Sequence, residues 1–268
     1  MHPILFKYGF IEIRFYGLMY VVAILFATYI IKREVVRKAI GLTADEVVNF
    51  ITWTVIAGVV GARIYYVLFT LDYYTANPAE IPAIWHGGLA IHGGLIGGAA
   101  AAWVYLRRHG VAFWRMADAV APALILGQTF GRLGNFMNGD AHGRPTTMPW
   151  GVVFPPGSIA GSQFPGIPLH PTMLYEMAVN FCIFLFLWLS LRKRDHKDGF
   201  IFAAYIALYS SGRFVVEGFR ADSLMLGPIR VAQLVSAFIA VSVAVFIINR
   251  RLWQPQTIEA KKTRRKRS

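Results

Sequence analysis

Ten consecutive residues, Gly131-Arg132-Leu133-Gly134-Asn135-Phe136-Met137-Asn138-Gly139-Asp140, carry the densest chemistry in this sequence. An arginine, two asparagines and an acid follow directly on the apolar run 119–130. Placing an arginine at the centre of a membrane helix costs about 2.5–3.5 kcal/mol, so the stretch implies a binding task. Its glycines allow a helix to break and backbone N–H groups to approach a ligand. The chemistry these types suit is recognition of an anion, with Arg132 pairing with a phosphate and Asn135 assisting. The alternative is an Arg132–Asp140 salt bridge that stabilises a bend.

Five further groups could join it. Arg213, Glu217 and Arg220 are spaced by four and three, which puts them along one helix face. Glu217 would neutralise one arginine, and the remaining charge could hold a phosphate monoanion; a salt-bridged interfacial face is the alternative. His92 sits inside the glycine-rich apolar run 87–98. A neutral imidazole is a natural base near neutral pH, and a hydrogen-bonded packing histidine is the other reading. Tyr175 and Glu176 follow His170-Pro171-Thr172-Met173-Leu174, where Glu176 reads equally well as a helix-start acid. Tyr16 opens an apolar run and is either a ligand contact or an interfacial anchor. Arg63, in another apolar run, either snorkels or functions.

The elements that position these groups read as membrane helices. The 268 residues are 56% hydrophobic and 15% charged, against about 25% charged in soluble domains. Seven stretches approach the roughly 20 apolar residues needed to cross a bilayer: 15–31, 49–70, 87–106, 117–136, 173–191, 199–217 and 229–248. The net charge of +13 would suit nucleic acid if it formed one patch. Instead the basic residues concentrate after the first, third, fifth and seventh stretches, while 71–86 has none. That alternation predicts an odd number of spans, with the N-terminus outside and the C-terminus cytoplasmic. The expected architecture is an all-α integral membrane protein, a seven-helix bundle over residues 1–253. It carries an extracytoplasmic, Gly- and Pro-rich loop at 139–171 and a basic, disordered tail at 254–268. The first nine residues lack a basic segment before a short apolar core, so no cleavable signal is expected. Cys182, the one cysteine, reads as a buried packing residue. The seven histidines show no metal-ligand spacing, and no cofactor is expected.

The segment GRLGNFMNGDAHGRP resembles the signature of the bacterial phosphatidylglycerol–prolipoprotein diacylglyceryl transferases. RFYGLMY, the His-Gly-Gly pattern, HPTMLYE and GRFVVEGFR support the resemblance, which runs from Phe15 to Gln233. It implies transfer of a diacylglyceryl group from phosphatidylglycerol to the lipobox cysteine of a prolipoprotein. A thioether forms and glycerol phosphate leaves, as the first step of lipoprotein maturation in the bacterial inner membrane. Arg132 is similar to the family's lipid-binding arginine, supported by Asn135 and Gly143, while Asn138 and Asp140 are expected to contact substrate as well. Arg213, Glu217 and Arg220 resemble its second charged cluster, His92 its candidate base and Tyr16 its functional tyrosine. Asp140 stands where the signature commonly has Glu, and Met173 where the family often has Gln.

This chemistry agrees with the residues. A thiolate is the nucleophile, and the departing phosphate needs fixed cations. His92, Arg132 and Arg213 supply those parts, while the prolipoprotein brings the thiol and phosphatidylglycerol the transferred group. Other readings of the same residues are a transporter of lipid or anionic solute, a lipid-binding scaffold, and a headgroup phosphotransferase. The sequence has no internal repeats of the kind transporters commonly show.

Overall fold

The computed structural model describes residues 4–8 and 11–256, and the basic tail from 257 onward lies outside the described residues. Helices dominate, and they fall where the apolar stretches predict them. The chain forms two compact units, 1–30 with 117–268 and 31–116, whose boundaries lie within two of the helices.

The first unit opens on an antiparallel hairpin, β1 (Ile4–Tyr8) and β2 (Ile11–Arg14), with Phe6 opposite Ile13 and Tyr8 opposite Ile11. Helix α1 (Phe15–Arg37) follows without a loop. The second unit contains α2 (Ala44–Phe69), the short α3 (Leu71–Ala76) and α4 (Ile91–Arg108). Thr43 and Glu46 form a capping box at the start of α2, with Glu46 N–H donating to Thr43 Oγ1 at 3.2 Å and Thr43 N–H to Glu46 Oε2 at 2.7 Å. Helix α4 packs directly on α2 because glycine faces glycine. A Cβ at Gly93 would lie 2.2 Å from Gly61 O, and one at Gly61 would lie 2.5 Å from Gly93 O. The glycine spacing thus permits backbone contact between the two helices.

Helix α5 (Phe113–Asn138) leads back into the first unit. The segment 139–171 contains one short helix, α6 (Ile159–Gln163), and isolated bridges pairing Val152 and Pro145 with Leu169. It folds as a packed cap: Phe154, Ala160, Leu169 and Met173 form a core of their own. Met173 is fully buried there, so an apolar residue suits the position. Helix α7 (Thr172–Leu185) widens into a π-turn at Phe186–Ser190 and ends in a 3-10 turn at Leu191–Lys193. Helix α8 (Phe200–Glu217) starts at Gly199, which has a left-handed φ of 93° and no side-chain cap of its own. Asp118 of α5 supplies one, accepting from Gly199 N–H at 2.9 Å and Phe202 N–H at 3.0 Å. A carboxylate there also suits the positive end of the helix. A two-residue hairpin, β3 (Met225–Leu226) with β4 (Ile229–Arg230), leads into α9 (Val231–Arg250).

The mostly helical architecture agrees with the all-α expectation, and two small hairpins accompany it. They are too short to register as alternating patterns, and each sits immediately before a long apolar helix. A correction concerns Cys182, which is exposed. It lies on the outward face of α7, where the surroundings of a membrane helix are themselves apolar.

Five of the helices are long and apolar enough to cross a membrane by length and composition: α1, α2, α7 with its continuation to Lys193, α8 and α9. Their outward faces support that reading. In α9 only 6% of the most apolar window is buried within the protein, and Phe238 is 72% exposed. Such a surface needs lipid around it. The Gly-rich α4 and the polar-ended α5 occupy the positions expected of two further spans.

Candidate active site

The site is assembled in the first unit from the ends of α5, α7 and α8. At its centre is Glu176, 1% exposed, one turn into α7. Arg132 of α5 donates to Glu176 Oε1 at 2.6 Å, and Arg213 of α8 donates to Glu176 Oε2 at 3.0 Å. Two guanidiniums therefore share one buried carboxylate, and about a fifth of each arginine side chain remains accessible. Arg213 also pairs with Glu217 at 2.7 Å, and Glu217 accepts from Ser223 Oγ at 2.7 Å. Arg220 lies 3.9 Å from Glu176 and is held by both oxygens of Asp222, at 2.9 and 2.7 Å.

A second chain of contacts fixes the end of α5. Arg132 donates to Asn135 Oδ1 at 3.1 Å, which leaves the Asn135 amide nitrogen to donate to Asp140 Oδ1 at 2.6 Å. Asn138 donates to the other Asp140 oxygen at 2.8 Å. Asp140 thus reaches both asparagines, and the Arg132–Asp140 salt bridge weighed from sequence does not form. Glycine does not break the helix where the sequence suggested. Gly131 and Gly134 lie within α5, and the chain turns only at Gly139, whose φ is 69°. A left-handed residue just past a helix end is a usual glycine position. Gly134 instead makes room for Tyr16, since a Cβ there would sit 2.7 Å from the tyrosine ring. The Tyr16 ring packs edge-on against Tyr20, with centroids 5.1 Å apart.

Arg220 also departs from expectation. Helix α8 ends at Glu217, so Arg220 lies beyond it, in a bridge to Gly143. Gly143 N–H donates to His170 O at 2.9 Å, and a Cβ at Gly143 would come within 2.7 Å of Phe219 O. Only glycine fits between these backbone segments, which ties the cap to the charged cluster. Three groups near this junction have displaced protonation. Burial lowers the pKa of His142, with Arg220 adding to the effect and Asp222 opposing it. Burial and Arg144 lower that of His170. Burial would raise the Asp222 carboxyl, but the hydrogen bonds and charge of Arg220 hold it below the usual range.

His92 belongs to the other unit, in the first turn of α4, with the Tyr65 ring 5.9 Å away. Arg63, in the same unit, has a structural task. Its guanidinium donates to the carbonyls of Glu80, Ile81, Ala83, Gly87 and Gly88, organising the segment before α4. Glu176 is the residue that the sequence left evenly balanced between a site role and a helix-start acid. An acid near a helix start suggests capping, and only its burial between two arginines separates the cases.

The arrangement presents two fixed cations, spaced by a shared carboxylate, to a ligand with negative oxygens. Known proteins agree with a phospholipid-linked role. A family model described as prolipoprotein diacylglyceryl transferase matches residues 3–249. A Trichormus variabilis protein named phosphatidylglycerol–prolipoprotein diacylglyceryl transferase is 44% identical over 247 residues, covering 87% of this chain and 84% of its own length. A protein of that name from Bacillus cereus is 42% identical over 245 residues, covering 91% and 90%. Another from Acaryochloris marina is 41% identical over 235 residues, covering 87% and 85%. The chain belongs to the prolipoprotein diacylglyceryl transferase family and is a transferase.

Proposed function

We propose that this protein transfers the diacylglyceryl group of phosphatidylglycerol to the lipobox cysteine thiol of prolipoproteins. It does so in the bacterial inner membrane as a seven-span protein, with the N-terminus outside, the C-terminus cytoplasmic and the site toward the outer face. The sharing of one buried carboxylate by Arg132 and Arg213 carries this reading, because it fixes two guanidinium donors side by side where a leaving phosphate needs them.

Arg132 holds the lipid phosphate, with Asn135, Asn138 and Asp140 fixing its guanidinium and the adjoining helix end. Arg213 strengthens its contact as the glycerol C–O bond breaks. Glu217 and Arg220 complete the charged wall, Gly143 keeps the cap against it, and Tyr16 lines the lipid's approach. His92 takes the thiol proton, directly or through water. The sulfur attacks the glycerol carbon, and the C–O bonding pair leaves with the phosphate. The products are a thioether and glycerol phosphate, which balances the reaction without a further reactant. The acyl chains stay among the apolar helices throughout.

Mass spectrometry of a lipobox peptide incubated with purified protein and phosphatidylglycerol tests this. The expected result is a gain of one diacylglyceryl unit at the thiol, with release of glycerol phosphate. Cleavage at phosphorus, or an unmodified peptide in the presence of folded protein, would overturn it.

A further inference from the structure

One helical turn from Arg132 and Glu176, and about two turns from Arg213, lies a second polar layer that no step above uses. Asn180 follows Glu176 by four residues, Gln128 precedes Arg132 by four, and Tyr205 precedes Arg213 by eight. The first two pairs therefore each share a helix face. Past this layer the same helices become apolar: Ile125 of α5, Ile183 and Leu187 of α7 and Ile201 of α8 pack with Tyr205 in one core. Gln128 donates from Nε2 to the Tyr205 hydroxyl at 2.9 Å, joining α5 to α8.

Asn180 is 1% exposed, and neither polar atom of its amide has a hydrogen-bond partner among the described residues. Gln128 Oε1 is buried and unpartnered as well. Leaving such a group unpaired is costly, and a leucine would fill the same space without that penalty. The layer's side chains Asn180, Gln128 and Tyr205 are all uncharged amide or hydroxyl groups, which suits a neutral polar partner. It lies about 6 Å along the helix axes from Arg132 and Glu176, at 1.5 Å per residue. That matches the few bonds from a phospholipid's phosphate, through its glycerol, to its ester carbonyls. It also lies on the side where the core becomes apolar, as acyl chains require.

We propose that Asn180 donates a hydrogen bond from Nδ2 to an acyl-ester carbonyl of the lipid whose phosphate Arg132 and Arg213 hold, and so selects diester over diether lipids. This rests on the reading of the charged cluster as a phospholipid site.

The test compares wild type and Asn180→Leu with a lipobox peptide and two donors, phosphatidylglycerol and its ether-linked counterpart. Wild type is expected to use the ester lipid about tenfold better in kcat/KM. In Asn180→Leu the ratio should fall to near one, with no loss of thermal stability because an unpaired amide has been removed. Asn180→Ala reports the same ratio should the leucine variant fail to accumulate. Equal use of both lipids by wild type, or an unchanged preference in the variants, overturns the inference and assigns the layer to buried water. A folded wild type inactive on the ester lipid overturns the transferase reading itself.

Discussion

Glu176 stands between two guanidiniums, so neutralising it would leave Arg132 and Arg213 facing one another without their shared counter-charge. Glu176→Gln keeps the shape of the side chain and removes that charge. It should lower stability by about 1–3 kcal/mol, read as a lower melting temperature, and reduce transfer at least tenfold. His92 has a separate test. If it removes the thiol proton, His92→Gln should abolish the limb of the pH–rate profile that rises with pH; an unchanged profile removes it from the mechanism. The arginines were legible in the sequence because a cation in an apolar run is expensive wherever it is placed. Asn135 and Asn138 were legible for the same reason. Glu176 was legible only as one of two equal readings, since acids are common in the first turns of helices and its meaning depends on what α5 and α8 bring to it. Arg220 was legible as a participant but not in its geometry, because Gly218 ends α8 before reaching it.

At the scale of elements, the cap over 139–171 is the part with a pH dependence to measure. His142 is 3% exposed and its pKa is lowered by burial; that of His170 is lowered by burial and by Arg144. The ordinary value is about 6.5. Between that and the depressed folded values, the unfolded cap binds more protons than the folded one. The stability from keeping these rings neutral is therefore complete above about pH 6.5 and is lost as pH falls through the folded values. Asp222, also depressed, loses its contribution at lower pH in the same direction. Limited proteolysis of the cap should accelerate between pH 7 and 5, and His142→Phe should blunt the change. All the long helices were legible from length and hydropathy. The cap was legible only as a loop, because its core of Phe154, Ala160, Leu169 and Met173 joins distant residues with no period. The helix break was placed too early, since glycine within an apolar helix serves packing as readily as turning, as Gly134 does for Tyr16.

For the whole molecule, the pattern of basic segments predicts which ends face which compartment. The one cysteine, Cys182, can be replaced by serine to give a background for labelling. In intact spheroplasts, a cysteine at Ser158 should react with an impermeant maleimide. One at Lys193 should react only after the membrane is opened. The reverse pattern would contradict the proposed orientation. The outward apolar faces of α1 and α9 were legible as membrane surface because they lack the polar side that a soluble helix carries. The division into two units was not legible, since its boundaries fall inside continuous helices rather than in linkers.

The charged cluster as the seat of phosphate departure is tested most directly by the initial rate of peptide lipidation in purified Arg132→Ala, measured beside its melting temperature. Glu176 keeps Arg213 as a partner in this variant, so the protein should remain folded. Transfer is expected to fall by about 10²–10³-fold or more, the scale for removing one group that stabilises developing negative charge. A folded Arg132→Ala protein that lipidates the peptide at the wild-type rate would contradict the assignment.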